Sequence, residues 1–209
     1  MNQVLSNLRK GLQGPLPGHD RFMELGGYRR PDMEAALRRE PNPRESAVLV
    51  TIYPKLGVLH SMLILRPEYP GVHSGQVAFP GGRREPEDPD LRATALREFD
   101  EEIGASMQRM EIIGGLSPVY IPPSRSLVTP FVAVAEGLGT MRPDPREVAR
   151  VIEFPLHLLG ASDVLRHGER YVEVLGRKAR VPYFDIQGEM VWGATAMMLA
   201  ELSELLYGR

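Results

Sequence analysis

"FPGGRREPEDPDLRATALREFDEEIGA", residues 79–105, sets a glycine pair before a run rich in arginine and acid and closes on Gly104 and Ala105. On a helix of about 3.6 residues per turn, Glu98, Glu101 and Glu102 fall at i, i+3 and i+4, so three carboxylates share one face. Phe99 and Ile103 point to an adjacent face, with Leu96 beside them, and anchor that helix in a core. Like charges at this spacing cost roughly a few tenths of a kcal/mol per pair. Taken alone, such a run is ordinarily a solvated acidic face. A hard divalent cation, Mg2+ or Mn2+, compensates the repulsion, because it takes oxygen ligands and itself binds phosphates. Arg97 can brace a carboxylate from the side. Gly81 and Gly82 permit a tight loop before the helix, and Gly104 is the residue type favoured just past a helix C-terminus. The expected unit is a loop, a helix over residues 90–104, and a loop holding metal.

Working outward, "SAVLVTIYP" (46–54) and "GVLHSMLILR" (57–66) are bounded apolar runs separated by a turn, the pattern of an antiparallel hairpin. Further strands are expected at 110–122, 126–137, 148–156, 170–176 and 180–186, and helices at 2–12, 33–39 and 190–208. Residues 1–45 read as an N-terminal extension packing on a domain that spans 46–209. The fold class expected is α/β (α+β), an α/β/α sandwich with a mixed β-sheet between helices.

With 43% hydrophobic and 25% charged residues the chain has an ordinary globular composition. A formal net charge of −2 and the lack of a basic stripe with interleaved aromatics argue against nucleic acid as a partner. The absence of cysteine excludes thiolate catalysis and Cys-type zinc sites. The histidines are scattered without His-x3-His spacing, so zinc is not expected there either. The start, with charge by position nine and no apolar core, predicts neither leader nor membrane span, and a cytoplasmic location.

In order, the paired glycines, Asp88, Arg97-Glu98, an apolar Phe99, Glu101-Glu102 and Ile103-Gly104-Ala105 resemble the Nudix box, G-x5-E-x7-R-E-U-x-E-E-x-G-U with U apolar. Asp88 stands for the first Glu, and eight residues rather than seven separate it from Arg97. This spacing looks like the coenzyme A pyrophosphatase branch of Nudix hydrolases. So does "LILRPEYPGVHSGQVAFPGG" (63–82), in which Arg66, Gly75 and Phe79–Gly82 match the branch signature. Pro67 and Gly71 depart from it, where the branch prefers a small residue and often a second arginine. "VWGATAMML" (191–199) looks like the branch's final helix; Trp192 read alone is a core anchor.

The resemblance implies a Nudix-type fold and a metal-dependent hydrolase. Its catalytic residues would be Glu98, Glu101, Glu102 and Arg97, and its metal ligands Glu98, Glu101 and Glu102 with main chain near Gly82. Arg66, Arg83, Arg84, His73 and Gln76 would bind substrate, with Ser74 at the same mouth. Glu147, in the polar "DPREV", is a candidate acid outside the box, although an exposed loop glutamate is the plainer reading. The implied partner is a nucleoside diphosphate derivative of coenzyme A type, split into 3′,5′-ADP and 4′-phosphopantetheine. The departures at Pro67 and Gly71 keep open a hydrolase of ADP-ribose, other nucleotide sugars or nucleoside triphosphates. A non-catalytic nucleotide-binding domain ranks below both, since such domains are expected to lose a box glutamate. A homodimer is compatible with the sequence and not specified by it.

Overall fold

Ala47, Leu49, Val50 and Ile52 are all fully buried, a continuous run rather than an alternating one. That pattern belongs to a strand covered on both faces. In the computed structural model, which describes residues 2–26, 33–71, 73–105, 109–172 and 175–208, this run is the middle of β1 (Arg44–Lys55). β1 pairs antiparallel with β2 (Val58–Leu65), Tyr53 opposite His60, and the intervening turn puts Leu56 and Gly57 at positive φ. This is the expected hairpin.

Short β3 (Val77–Ala78) pairs with β2, and β4 (Gly81–Arg83) pairs antiparallel with β1. Helix α4 is Leu91–Ile103. β5 (Met110–Gly115) and β6 (Val119–Ile121) both pair with β7 (Ser126–Ala135), which lies parallel to β1 over nine residue pairs from Arg44 opposite Ser126 to Ile52 opposite Val134. β8 (Arg150–Pro155) adds antiparallel to β2. The result is a mixed eight-stranded sheet. A second sheet contains β9 (Leu165–Val172), β10 (Arg177–Ile186) and β11 (Glu189–Trp192), with β10 central.

α4 covers one face of the large sheet, where Phe99 and Ile103 pack with Ala47, Leu49, Met62 and Ala133. Helices α1 (Asn2–Gln13) and α5 (Gly193–Tyr207) lie on the other, with Leu8, Leu199 and Leu202 among Val50, Ile52, Leu63 and Val132. The sandwich with a mixed sheet between helices is the architecture expected. Two short helices, α2 (Asp20–Glu24) and α3 (Met33–Arg39), complete the segment before β1.

That segment is tied down by a buried carboxylate. Glu201 of α5 accepts from the Gly18 amide at 3.1 Å, the Ser117 amide at 2.8 Å and the Ser117 hydroxyl at 2.6 Å, with His19 Nε2 at 3.3 Å. Burial alone would raise its proton affinity, but the nearby His19 ring and the Ser117 hydrogen bonds outweigh that and hold it below the ordinary value.

Three expected elements need correction. The strand at 110–122 is two strands, because Pro118 lacks an amide proton and the Ser117 amide is diverted to Glu201. Residues 190–192 are not helical: they pair with β10, Trp192 opposite Tyr183, and the helix begins only at Gly193, whose φ is 67°. The strand expected at 170–176 starts earlier, at Leu165; its positions 173–174 lie outside the described residues. Among the described residues no helix is long and apolar enough to cross a membrane.

Candidate active site

α4 is held at both ends by its own sequence. Asp90, extended at φ −152°, caps the start by accepting from the Ala93 amide at 2.8 Å, and left-handed Gly104 caps the end. Ahead of the helix, buried Asp88 accepts from the Glu85 amide and the Thr94 hydroxyl at 2.9 Å each. It also takes Arg97 Nε at 3.0 Å and Nη2 at 2.9 Å. The Arg97 guanidinium, and then the Glu85 amide, hold Asp88 well below the usual carboxylate range, and Asp88 in turn strengthens the charge on Arg97. Arg97 also reaches Glu98 at 3.1 Å, Glu101 at 2.9 Å and the Arg83 carbonyl at 3.0 Å. It therefore fixes the helix to β4 and orients two of its acids.

β4 can approach β1 and α4 this closely only because its first two residues are glycine. A Cβ on Gly81, at φ 150°, would lie 2.3 Å from the Ala47 carbonyl, and one on Gly82 would lie 2.4 Å from the Glu98 carboxylate. In that space Glu102 is wholly buried and accepts from the Gly81 amide at 2.8 Å, with Arg66 Nη1 at 3.5 Å from its other oxygen.

The C-terminal carbonyls of α4 bind a distant loop. The Arg142 amide donates to Ile103 at 2.9 Å and the Asp144 amide to Glu102 at 3.1 Å. The Asp144 carbonyl then accepts from Glu147 and Val148, and Ala149 donates to Leu65 at the end of β2. This path brings Glu147 to α4: carboxylate oxygens of Glu98, Glu102 and Glu147 all lie within 4.8 Å of one another. Burial raises Glu98, with Glu101 and Glu147 adding to the rise against the pull of Arg97. Burial likewise raises Glu102, to about 8, while Gly81 and Arg66 pull it down and Glu98 and Glu147 push it up. A mutually repelling oxygen set of this kind, running from buried Glu102 through half-buried Glu98 to exposed Glu147, fits a hard divalent cation.

The acids meet a cleft of about 400 Å³ at Gly81 and Gly82. Arg66, Arg83, His73 and Gln76 line it. The loop carrying them folds back on itself, with the Arg66 amide on the Gln76 carbonyl at 3.0 Å and His73 Nδ1 3.0 Å from Gln76 Oε1. Ser74 instead accepts from the Tyr69 amide. Trp192 borders the cleft while packing beside Val172, Ala179 and Val181.

Two expected residues are placed elsewhere. Arg84, just past β4, points away from the cleft, bonded to Glu45 at 2.9 Å and to the Asp88 and Pro89 carbonyls, because successive residues of an extended chain face opposite ways. Glu101 is mostly exposed and turned to Arg97, outside the cluster of three acids. Sequence reading missed Arg44, Ser46 and Val48, which line the cleft from alternate positions of β1; that alternation was the available signal.

The chain matches the NUDIX domain family over residues 43–174. It is 35% identical over 177 residues to an uncharacterized Nudix hydrolase, NudL, of Photorhabdus laumondii, covering 80% of this chain and 87% of that one. It is also 35% identical over 182 residues to the human mitochondrial coenzyme A diphosphatase NUDT8, covering 82% and 73%. Among solved structures, a Nudix hydrolase from Alicyclobacillus acidocaldarius shares the fold with a TM-score of 0.51 at 19% identity, over 79% of this chain and 91% of that chain. A domain match over most of the chain, with full-fold relatives above 30% identity, places this protein in the Nudix hydrolase family.

Proposed function

We propose that the chain hydrolyses the diphosphate bond of coenzyme A or a coenzyme A derivative, releasing 3′,5′-ADP and a 4′-phosphopantetheine product, in a Mg2+- or Mn2+-dependent reaction. The observation that carries this reading is the convergence of Glu98, Glu102 and Glu147 beside Gly81 and Gly82, at the mouth of a cleft lined by arginine. Glu98, Glu102 and Glu147 would hold the cation, with main chain near Gly82. When bound, the cation neutralises phosphate oxygens and makes a bound water more acidic.

The protein's own groups orient the rest. The Gly81 amide and Arg66 fix Glu102, and Arg97 fixes Glu98 while itself locked by Asp88. Arg66 carries a buried Nε with no acceptor, so an anionic phosphate oxygen arriving in the cleft would meet an unsatisfied donor. A water oxygen attacks phosphorus, the bridging P–O bond breaks toward the leaving phosphate, and the water's proton passes to a carboxylate of the acid group. In this reading the segment ahead of β1 is an extension whose Gly18 amide and His19 ring, at Glu201, brace the Ser117 loop and α5 behind the cleft.

Support for coenzyme A comes from the match of Arg66, Gly75 and Phe79–Gly82 to the branch signature, and from a relative whose name is coenzyme A diphosphatase. A side-by-side turnover screen of coenzyme A, dephospho-coenzyme A, ADP-ribose and nucleoside triphosphates with Mg2+ or Mn2+ tests it. Coenzyme A should show the highest kcat/KM. A clear preference for ADP-ribose or a triphosphate would move the substrate assignment and leave the diphosphate chemistry.

A further inference from the structure

The residues lining the cleft include Arg44, Arg66 and Arg83 and, among the described residues, no aspartate or glutamate. This is a concentration of positive charge in a chain whose formal net charge is −2. Two carboxylates near Arg44 in sequence are committed elsewhere. Glu40 takes Arg125 at 2.6 and 2.8 Å, and Glu45 takes Arg84 at 2.9 Å. Arg66 leans on Glu102. Among the described residues no side-chain hydrogen bond or ion pair engages the guanidinium of Arg44 or Arg83, and both stand exposed.

Arg44 is nevertheless firmly based. It opens β1 opposite Ser126 of β7, and its amide donates to the Arg125 carbonyl at 2.8 Å. Arg125 is itself clamped to Glu40, four residues before Arg44. Arg44, Ser46 and Val48 share the cleft face of β1, and Ser46 lies opposite Arg83. Arg44 and Arg83 are thus diagonal cross-strand neighbours, roughly 7–8 Å apart at the backbone.

Distance sets what this pair can read. Ala47 lies opposite Gly82, where the acid group meets the cleft. Arg44 stands three residues further, roughly 10 Å at about 3.3 Å per residue. An arginine side chain spans much of that gap, and one ribose ring with its phosphate ester fills the remainder. We propose that Arg44, seconded by Arg83, binds the 3′-phosphate of the substrate's adenosine moiety while the 5′-diphosphate lies at the acids. This rests on the diphosphate-hydrolase reading and deepens it by naming the group that selects a 3′-phosphorylated nucleotide. Guanidinium suits the task because it offers two parallel donors to phosphate oxygens.

The test is calorimetric binding of 3′,5′-ADP and of 5′-AMP to the full chain with Mg2+, for the parent, Arg44→Ala and Arg44→Lys. The parent should bind 3′,5′-ADP about tenfold more tightly than 5′-AMP. Arg44→Ala should bring that ratio below about twofold by weakening only 3′,5′-ADP, and Arg44→Lys should fall between, since it keeps charge and loses the fork. Melting temperatures of the three proteins should coincide. A parent indifferent to the 3′-phosphate, an Arg44→Ala protein that keeps the preference, or one that weakens both nucleotides equally would overturn the assignment. Turnover of coenzyme A separates the two claims. A parent that cleaves it while Arg44→Ala leaves both affinities unchanged sinks Arg44 alone. A parent with the predicted binding pattern but no cleavage sinks the hydrolysis reading alone.

Discussion

The main-chain amide of Gly81 donates to Oε2 of Glu102 at 2.8 Å, joining the strand that edges the cleft to the most deeply buried acid of the helix. The bond exists because Gly81 sits at φ 150° with the Ala47 carbonyl where a side chain would be. Gly81→Ala should therefore push β4 off β1. We expect a loss of about 2 kcal/mol in denaturant unfolding and a larger proportional loss of activity, because Glu102 loses its donor. A variant with parental stability and turnover would show that β4 tolerates displacement.

The placement of the acids sets an order for their removal. Glu98, Glu102 and Glu147 converge, whereas Glu101 is turned to Arg97. Glu147→Gln should weaken Mn2+ binding, followed by electron paramagnetic resonance, by about tenfold, and Glu101→Gln should weaken it by less than about threefold. A larger effect for Glu101→Gln would mean that its carboxylate leaves Arg97 when metal enters.

Protonation of Glu102 makes metal-free stability depend on pH. Its value is raised by burial to about 8 in the folded chain, against about 4.3 when unfolded. A raised folded value contributes stability that is fully present below the unfolded value and is lost as pH rises through the folded one. With a chelator present, the melting temperature should fall between about pH 5 and pH 8. Asp88 acts in the opposite sense, since its lowered value adds stability that disappears only in acid. Glu102→Gln should flatten the fall, and so should saturating Mg2+, which replaces the proton. A parental curve that is flat or rises over that window in chelator would contradict this placement of Glu102.

How much of this was legible beforehand follows from the range of each interaction. The helix carrying the acids announces itself locally, through Asp90 before it, Gly104 after it and Phe99 and Ile103 inward. The β1–β2 hairpin likewise shows as two apolar runs and a short turn. β3 and β4 do not, because two- and three-residue strands have no period to read; they form where β1 and β2 offer unpaired main chain. Glu147 joins the site through main-chain bonds between residues far apart in sequence, from Ile103 and Glu102 to Arg142 and Asp144 and from Leu65 to Ala149. Arg83 and Arg84 look alike in sequence and are separated by the pleat of a strand too short to predict.

The most direct test is metal-dependent release of 3′,5′-ADP from coenzyme A, measured for the parent and Glu102→Gln over a range of Mg2+ concentrations. The substitution keeps size and removes the charge that the Gly81 amide and Arg66 hold in place. The parent should release product only with metal present, and Glu102→Gln should turn over at least about a hundredfold more slowly, or about 2.7 kcal/mol of barrier, with its fold intact. Near-parental turnover by Glu102→Gln at low Mg2+ would contradict the account.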